Sequence, residues 1–140
     1  MLDLKLTTLQ KGRYFLMSRF INHSYIFLTI LFTVYSQLVM RWQVSAAGQL
    51  PNDIPGKIRF VMDLLLNPWV ITGVIATFFA GVSWMLAMTR FEVSYAFPFV
   101  SLNYVLILAA SIFLFNESFT ITKFVGSLIV IVGIIVIARG

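Results

Sequence analysis

The chain has 140 residues, 60% of them hydrophobic and only 11% charged, with a mean hydropathy of +0.95. Soluble domains are typically about half apolar and about a quarter charged, so this composition excludes an ordinary water-soluble fold and reads as a membrane protein. The net charge is +5 and cysteine is absent, which excludes disulfides, thiol nucleophiles and cysteine metal sites.

The N-terminal stretch 1–23 carries Lys5, Lys11, Arg13 and Arg19 beside Tyr14, Phe15 and Phe20. Basic and aromatic residues mixed in this way suit the anionic headgroup layer of a membrane, so 1–23 is expected to be a basic interfacial segment. No nucleic-acid motif accompanies the charge, and no nucleic-acid partner is expected. His23, the single histidine, reads as a polar anchor in that flank. A cleaved signal peptide is not expected. The apolar run from 20 to 40 is too long for a signal core, and Arg41, Trp42 and Gln43 separate it from the small residues at 45–47.

About 20 helical residues cross a bilayer's hydrocarbon core. Uncharged runs at 20–40, 64–89, 93–116 and 124–138 supply four candidates. The expected fold is all-α: an integral membrane bundle of four transmembrane helices in 24–140, with spans near 24–44, 68–89, 94–115 and 120–138. The connections "RFEVS" and "NESFT" are tight. The long one, 45–67, opens with Gly and Pro and then changes to "KIRFVMDLLLN". Ile58, Val61, Met62 and Leu65 recur there at helical spacing. Residues 57–66 therefore read either as a short helix on the membrane surface or as an extension of the second span. An even number of spans puts both termini on one side. That side holds Lys5, Lys11, Arg13, Arg19, Arg90 and Arg139, against Arg41, Lys57, Arg59 and Lys123 on the other. The excess favours cytoplasmic termini, with insertion in both orientations left open.

The first span carries Thr29, Thr33, Gln37 and Arg41 at spacing four, with Ser36 alongside. An amide or a charge facing lipid costs on the order of 2–3 kcal/mol, so these groups are expected to turn toward other helices or a water-filled cavity. Thr29 and Ser36 suit interhelical hydrogen bonds; Gln37 and Arg41 suit a polar headgroup. The first and third spans run the same way, so Arg41 and Glu117 end on the same side and are placed to meet. Arginine also matches a phosphate with two parallel hydrogen bonds. In the third span, Pro98 bends a helix that carries Ser94, Ser101, Asn103 and Tyr104. In the second, Gly73, Thr77 and Gly81 form a small-residue stripe with Ala76 and Ala80, a packing surface. Trp84 follows one turn on and either closes a cavity or packs. Gly126 and Gly133 lie seven apart in the last span, on one face, and suit a subunit interface. The expected substrate-binding set is Thr33, Gln37, Arg41, Trp84, Ser101, Asn103, Tyr104 and Glu117. No catalytic constellation or metal cluster is visible. A non-enzymatic protein without cofactor is expected.

"SQLVMRWQV", "SYAFPFVSLNYV" and "LFNESFTITKFVGSLIVIVGIIVI" resemble the small multidrug resistance-like branch of the drug/metabolite transporter superfamily. Within it they are most similar to the flippase subunits for undecaprenyl phosphate-linked aminoarabinose. The resemblance covers roughly 24–138. It implies a multi-pass protein of the bacterial inner membrane and a dimer, homomeric or with a related four-helix subunit. It also implies a polyprenyl phosphate-linked sugar as substrate, with membrane lipids around it. Dimer contacts in the family run through glycines seven apart, which Gly126 and Gly133 match. The multidrug exporters carry a membrane Glu eight residues before a basic residue; eight before Arg41 stands Thr33. Two other functions stay open from the residues alone: an exporter of small polar or cationic metabolites using Glu92 or Glu117, and a non-transporting scaffold for a glycosyltransferase.

Overall fold

The computed structural model describes residues 2–139, with side chains from Phe20 to Arg139. The basic cluster Lys5, Lys11, Arg13 and Arg19 lies outside the described side chains. The helices are α1 (Leu2–Ala47), α2 (Ile54–Leu66), α3 (Pro68–Met88), α4 (Val93–Val100), α5 (Leu102–Phe115) and α6 (Ile121–Arg139). Four stretches are long and apolar enough to cross a membrane: Phe20–Ala47, Pro68–Met88, Val93–Phe115 and Ile121–Arg139. The protein is an all-helical, multi-pass membrane protein.

The first helix does not start near residue 24 but runs unbroken from Leu2. The first proline is Pro51, and Gly12 alone costs only about 1 kcal/mol in a helix. Chain breakers set the next boundaries. Asp53 caps α2 by accepting from the Gly56 amide at 2.7 Å. Asn67 ends α2 and caps α3, its Oδ1 accepting from the Trp69 amide at 2.9 Å, with Pro68 in the first turn. α2 is thus a helix of its own rather than an extension of α3. Further along, Pro98 sits inside α4, and the chain leaves regular helix at Ser101. There the Pro98 carbonyl accepts from both the Ser101 amide and the Ser101 hydroxyl. The third span is therefore two consecutive helices, α4 and α5.

The most extensive packing joins α1 to α3, antiparallel. α3 buries Val70, Gly73, Ala76, Ala80, Ser83 and Ala87, each three or four after the last. Small side chains let the backbones approach, which matters where lipid removes the hydrophobic drive between helices. α1 answers with Thr29, Ser36 and Gln43, all buried and seven apart. The stripe differs from the expected one: Gly73 packs against Met40, Val39 and Ser36, but a Cβ at Gly81 would meet nothing within 4 Å. The 3.5-residue rhythm of paired helices, not spacing four, sets the contact.

Two hydroxyl pairs bridge this interface. Thr77 donates to the Gly73 carbonyl, so Ser36 donates to Thr77, at 2.7 Å. Thr72 likewise donates to the Trp69 carbonyl, leaving Tyr35 to donate to Thr72 at 2.9 Å. Thr29, expected to bond across helices, instead donates to the Tyr25 carbonyl of its own helix.

The two ends of the bundle differ. At the end holding the start of the first span, Ile26, Ile30, Ala87 and Ala96 form a buried cluster ringed by Trp84, Phe91, Phe99 and Leu102. At the Arg41 end, α1 and α5 leave an apolar slot of about 350 Å³ lined by Leu38, Val39, Trp42, Leu114 and Phe115. α6 buries only Ser127.

Candidate functional site at the Arg41 end

Arg41 and Glu117 meet. Asn116 ends α5 in the left-handed conformation at φ 50°, which asparagine tolerates. Its amide and that of Glu117 both donate to the Ser111 carbonyl. This turn brings Glu117 across to α1. Arg41 Nη2 and Nε donate to the same carboxylate oxygen, Oε1, at 3.1 and 3.3 Å. Nη1 donates to Ser45 Oγ at 3.0 Å, and Ser45 donates onward to the Arg41 carbonyl. The guanidinium also lies 5.8 Å from the centre of the Phe115 ring.

The Arg41 side chain is 53% exposed and that of Glu117 32%. An ion pair so open contributes only about 0–1 kcal/mol. A guanidinium held this loosely keeps its capacity for the stronger, charge-assisted bonds that arginine makes with oxyanions. Phe115 belongs to both the cation site and the apolar slot. A charged group at Arg41 and a hydrocarbon chain in the slot would be continuous across that ring.

The other expected site residues divide by position. Gln37, one turn before Arg41, is exposed rather than turned inward, and Thr33 is half-buried. The reason is geometric: each step of four residues advances about 40° around a 3.6-residue helix. Thr29, Thr33, Gln37 and Arg41 thus wind from the α3 contact out to the open side. Trp84 packs against the buried cluster, with its ring edge-to-face with Phe97 at 5.9 Å. Ser101 and Tyr104 are exposed, and the Ser101 hydroxyl is turned back onto Pro98. Asn103 Oδ1 is buried without a hydrogen-bond partner, midway along α4–α5. Trp84, Ser101, Asn103 and Tyr104 are therefore not brought to Arg41. Gly126 and Gly133 face open space: a Cβ at either would meet nothing within 4 Å.

Sequence reasoning missed Gln43 and Asn67. Asn67 Nδ2 donates to buried Gln43 Oε1 at 3.0 Å, fixing the end of α1 to the α2–α3 junction. The heptad Thr29–Ser36–Gln43 was the available signal. Trp42 and Trp69 meet edge-to-face at 5.5 Å at the same level, which suits the aromatic belt of a membrane boundary.

The profile of the EamA-like transporter family matches residues 12–139. The "Probable 4-amino-4-deoxy-L-arabinose-phosphoundecaprenol flippase subunit ArnF" of Pseudomonas fluorescens is 33% identical over 104 residues, 73% of this chain and 76% of that protein. The corresponding ArnF of an Enterobacter species is 27% identical over 112 residues, 79% of this chain and 88% of its own. The "Probable 4-amino-4-deoxy-L-arabinose-phosphoundecaprenol flippase subunit ArnE" of Pseudomonas aeruginosa is 31% identical over 75 residues, 54% of this chain and 65% of its own. No solved structure matches. With the profile covering nearly the whole chain, four apolar spans and these relatives, the protein belongs to the EamA-like transporter family.

Proposed function

We propose that this chain is one subunit of an inner-membrane flippase that carries a polyprenyl phosphate-linked sugar between leaflets. The observation that carries this reading is Arg41: a half-exposed guanidinium at a span's end, held by a weak ion pair and adjoining an apolar slot through Phe115. Phosphate engages Arg41 in place of Glu117. The sugar reaches Ser45 and Gln37, and the first isoprene units lie against Leu38, Trp42 and Leu114. Asn103, with its unpaired carbonyl oxygen at mid-depth, supplies an acceptor for a hydroxyl or ammonium group during the crossing, and Thr33 lines the same route. The relatives, named as flippase subunits for an aminoarabinose-phosphoundecaprenol, support the same substrate class. Transbilayer movement of such a lipid in vesicles containing the protein tests the reading.

Export of a cationic metabolite by proton exchange fits the site less well. It needs a free carboxylate at this site, and Glu117 is engaged by Arg41, which leaves only Glu92, at the other end of the bundle.

In this reading the subunit works as a pair, with a related four-helix chain as partner, because both ArnF-type and ArnE-type relatives match it. The termini lie on the cytoplasmic side. α2 rests in the headgroup layer: Ile54, Ile58, Val61, Met62 and Leu65 are all exposed on one face, while Phe60 and Leu64 turn to the bundle. The α6 face carrying Gly126 and Gly133 is the subunit contact. Gly126→Leu together with Gly133→Leu is expected to leave the fold of the subunit unchanged, since both sites are open. It should weaken pairing by at least about tenfold, or ~1.4 kcal/mol. Crosslinking yield against protein concentration in detergent measures it.

A further inference from the structure

The opposite end of the bundle holds a second pocket, of about 380 Å³, lined by Asn22, His23, Arg90, Phe91, Glu92 and Tyr95. α1 and α3 are antiparallel, so Arg90, just past α3, lies at the other end of the spans from Arg41. His23 and Arg41 are 18 helical residues apart, about 27 Å along the axis. The turn that carries Arg90 is fixed: its amide and that of Phe91 both donate to the Ala87 carbonyl, at 2.9 Å. Phe91 stacks on Tyr95 at 5.6 Å and meets the edge of His23 at 4.8 Å. These rings form an aromatic wall. Arg90 makes no ion pair among the described residues, and the Glu92 side chain makes no capping hydrogen bond to α4.

The chemical inventory of this pocket repeats that of the Arg41 end. Each has one guanidinium, one carboxylate and an aromatic surface: Arg41, Glu117 and Phe115 at one, Arg90, Glu92 and the Phe91–Tyr95 stack at the other. Among the chain's five acidic residues only these two are glutamates, and each lies beside an arginine at an end of the bundle. A guanidinium suits a phosphate, a carboxylate suits an ammonium group, and an aromatic wall with an amide beside it suits a sugar ring. We propose that the Asn22–Arg90–Glu92–Tyr95 pocket is a second headgroup site, at the membrane face opposite Arg41, and that it takes a sugar phosphate bearing a free amine. Arg90 holds the phosphate, Glu92 the ammonium group and the Phe91–Tyr95 stack the sugar face. The lipid would then meet matched sites before and after crossing. This inference rests on the flippase reading above.

The chain's lack of cysteine allows single reporter thiols. Thr89→Cys reports on the Arg90 pocket and Ser118→Cys on the Arg41 site; both positions are exposed and adjoin the sites. Labelling by a water-soluble maleimide is followed in detergent with three probes: a short-chain prenyl phosphate linked to an aminopentose, its N-acetylated form, and prenyl phosphate alone. The aminopentose probe should protect both thiols. N-acetylation or Glu92→Gln should weaken protection at 89 by about tenfold, the loss of one charge-assisted contact. Arg90→Gln should abolish protection at 89 and leave it intact at 118, which also certifies the variant as folded. Protection at 118 without protection at 89 overturns the second site. Equal protection at 89 by acetylated and free amine overturns the role of Glu92. Protection at neither position overturns the flippase reading itself.

Discussion

Arg41→Ala is expected to slow transbilayer movement of the polyprenyl phosphate-linked sugar by roughly one to two orders of magnitude, the loss of hydrogen bonds to a charged group. Arg41→Lys should recover only part. A lysine keeps the charge but not the planar fork that matches a phosphate with two parallel hydrogen bonds. Glu117→Gln should act differently. It frees Arg41 from a competitor, so binding of simple prenyl phosphate should tighten by up to about fivefold, in line with the small worth of an open ion pair. A lipid with an amine should gain less, because its ammonium group loses the carboxylate. The measurements are flipping rates in vesicles containing each variant and binding of the two lipids in detergent. If Arg41→Ala and Arg41→Lys flip as fast as the parent, the site is elsewhere.

The second large effect concerns packing. Gly73→Leu is expected to destabilise the protein by about 1–3 kcal/mol, the usual cost of overfilling a tight contact. A leucine there drives into Val39 and the Ser36 backbone and pulls apart the Ser36–Thr77 bond. Gly73→Ala should be tolerated, because the nearest atom to its Cβ is the flexible end of Met40 at 3.4 Å. Gly81→Leu, two turns further along α3, should leave stability nearly unchanged, because its Cβ enters open space. Thermal unfolding in detergent separates the three. Equal loss at 73 and 81 would contradict the α1–α3 contact described above.

The contrast between Gly73 and Gly81 also shows where sequence reading stops. Both glycines sit on one spacing-four strip of the helix, with Thr77 between them, and residue type alone gives them equal standing. Only the position of α1 separates them, and paired helices follow a rhythm of 3.5. The same drift explains the first span. A polar residue every fourth position reads as one face, yet over twelve residues it turns about 120°, so Thr29 is buried and Arg41 is half-exposed. The spans themselves were legible because charge cannot lie cheaply in hydrocarbon, so gaps between charges mark them. The meeting of Arg41 with Glu117 was legible from parity: two spans of the same direction end on the same side. The break at Ser101, three residues after Pro98, was not legible to the residue. A proline removes one donor but does not say where the chain re-forms its bonds; here the Pro98 carbonyl collects them. Gln43 and Asn67 escaped notice because an amide near a span's end reads as solvated until its partner in another element is known.

In the proposed function the Arg41 guanidinium receives a lipid phosphate whose chain lies in the slot between α1 and α5. The most direct measurement is photolabelling with a polyprenyl phosphate that carries a diazirine on its first isoprene unit, followed by mapping of the labelled residues. Label is expected on Leu38, Trp42, Leu114 and Phe115 and should disappear in Arg41→Gln. Label spread instead over the apolar groove of Leu31, Tyr35 and Phe79 on the α3 side, unchanged by Arg41→Gln, would contradict it.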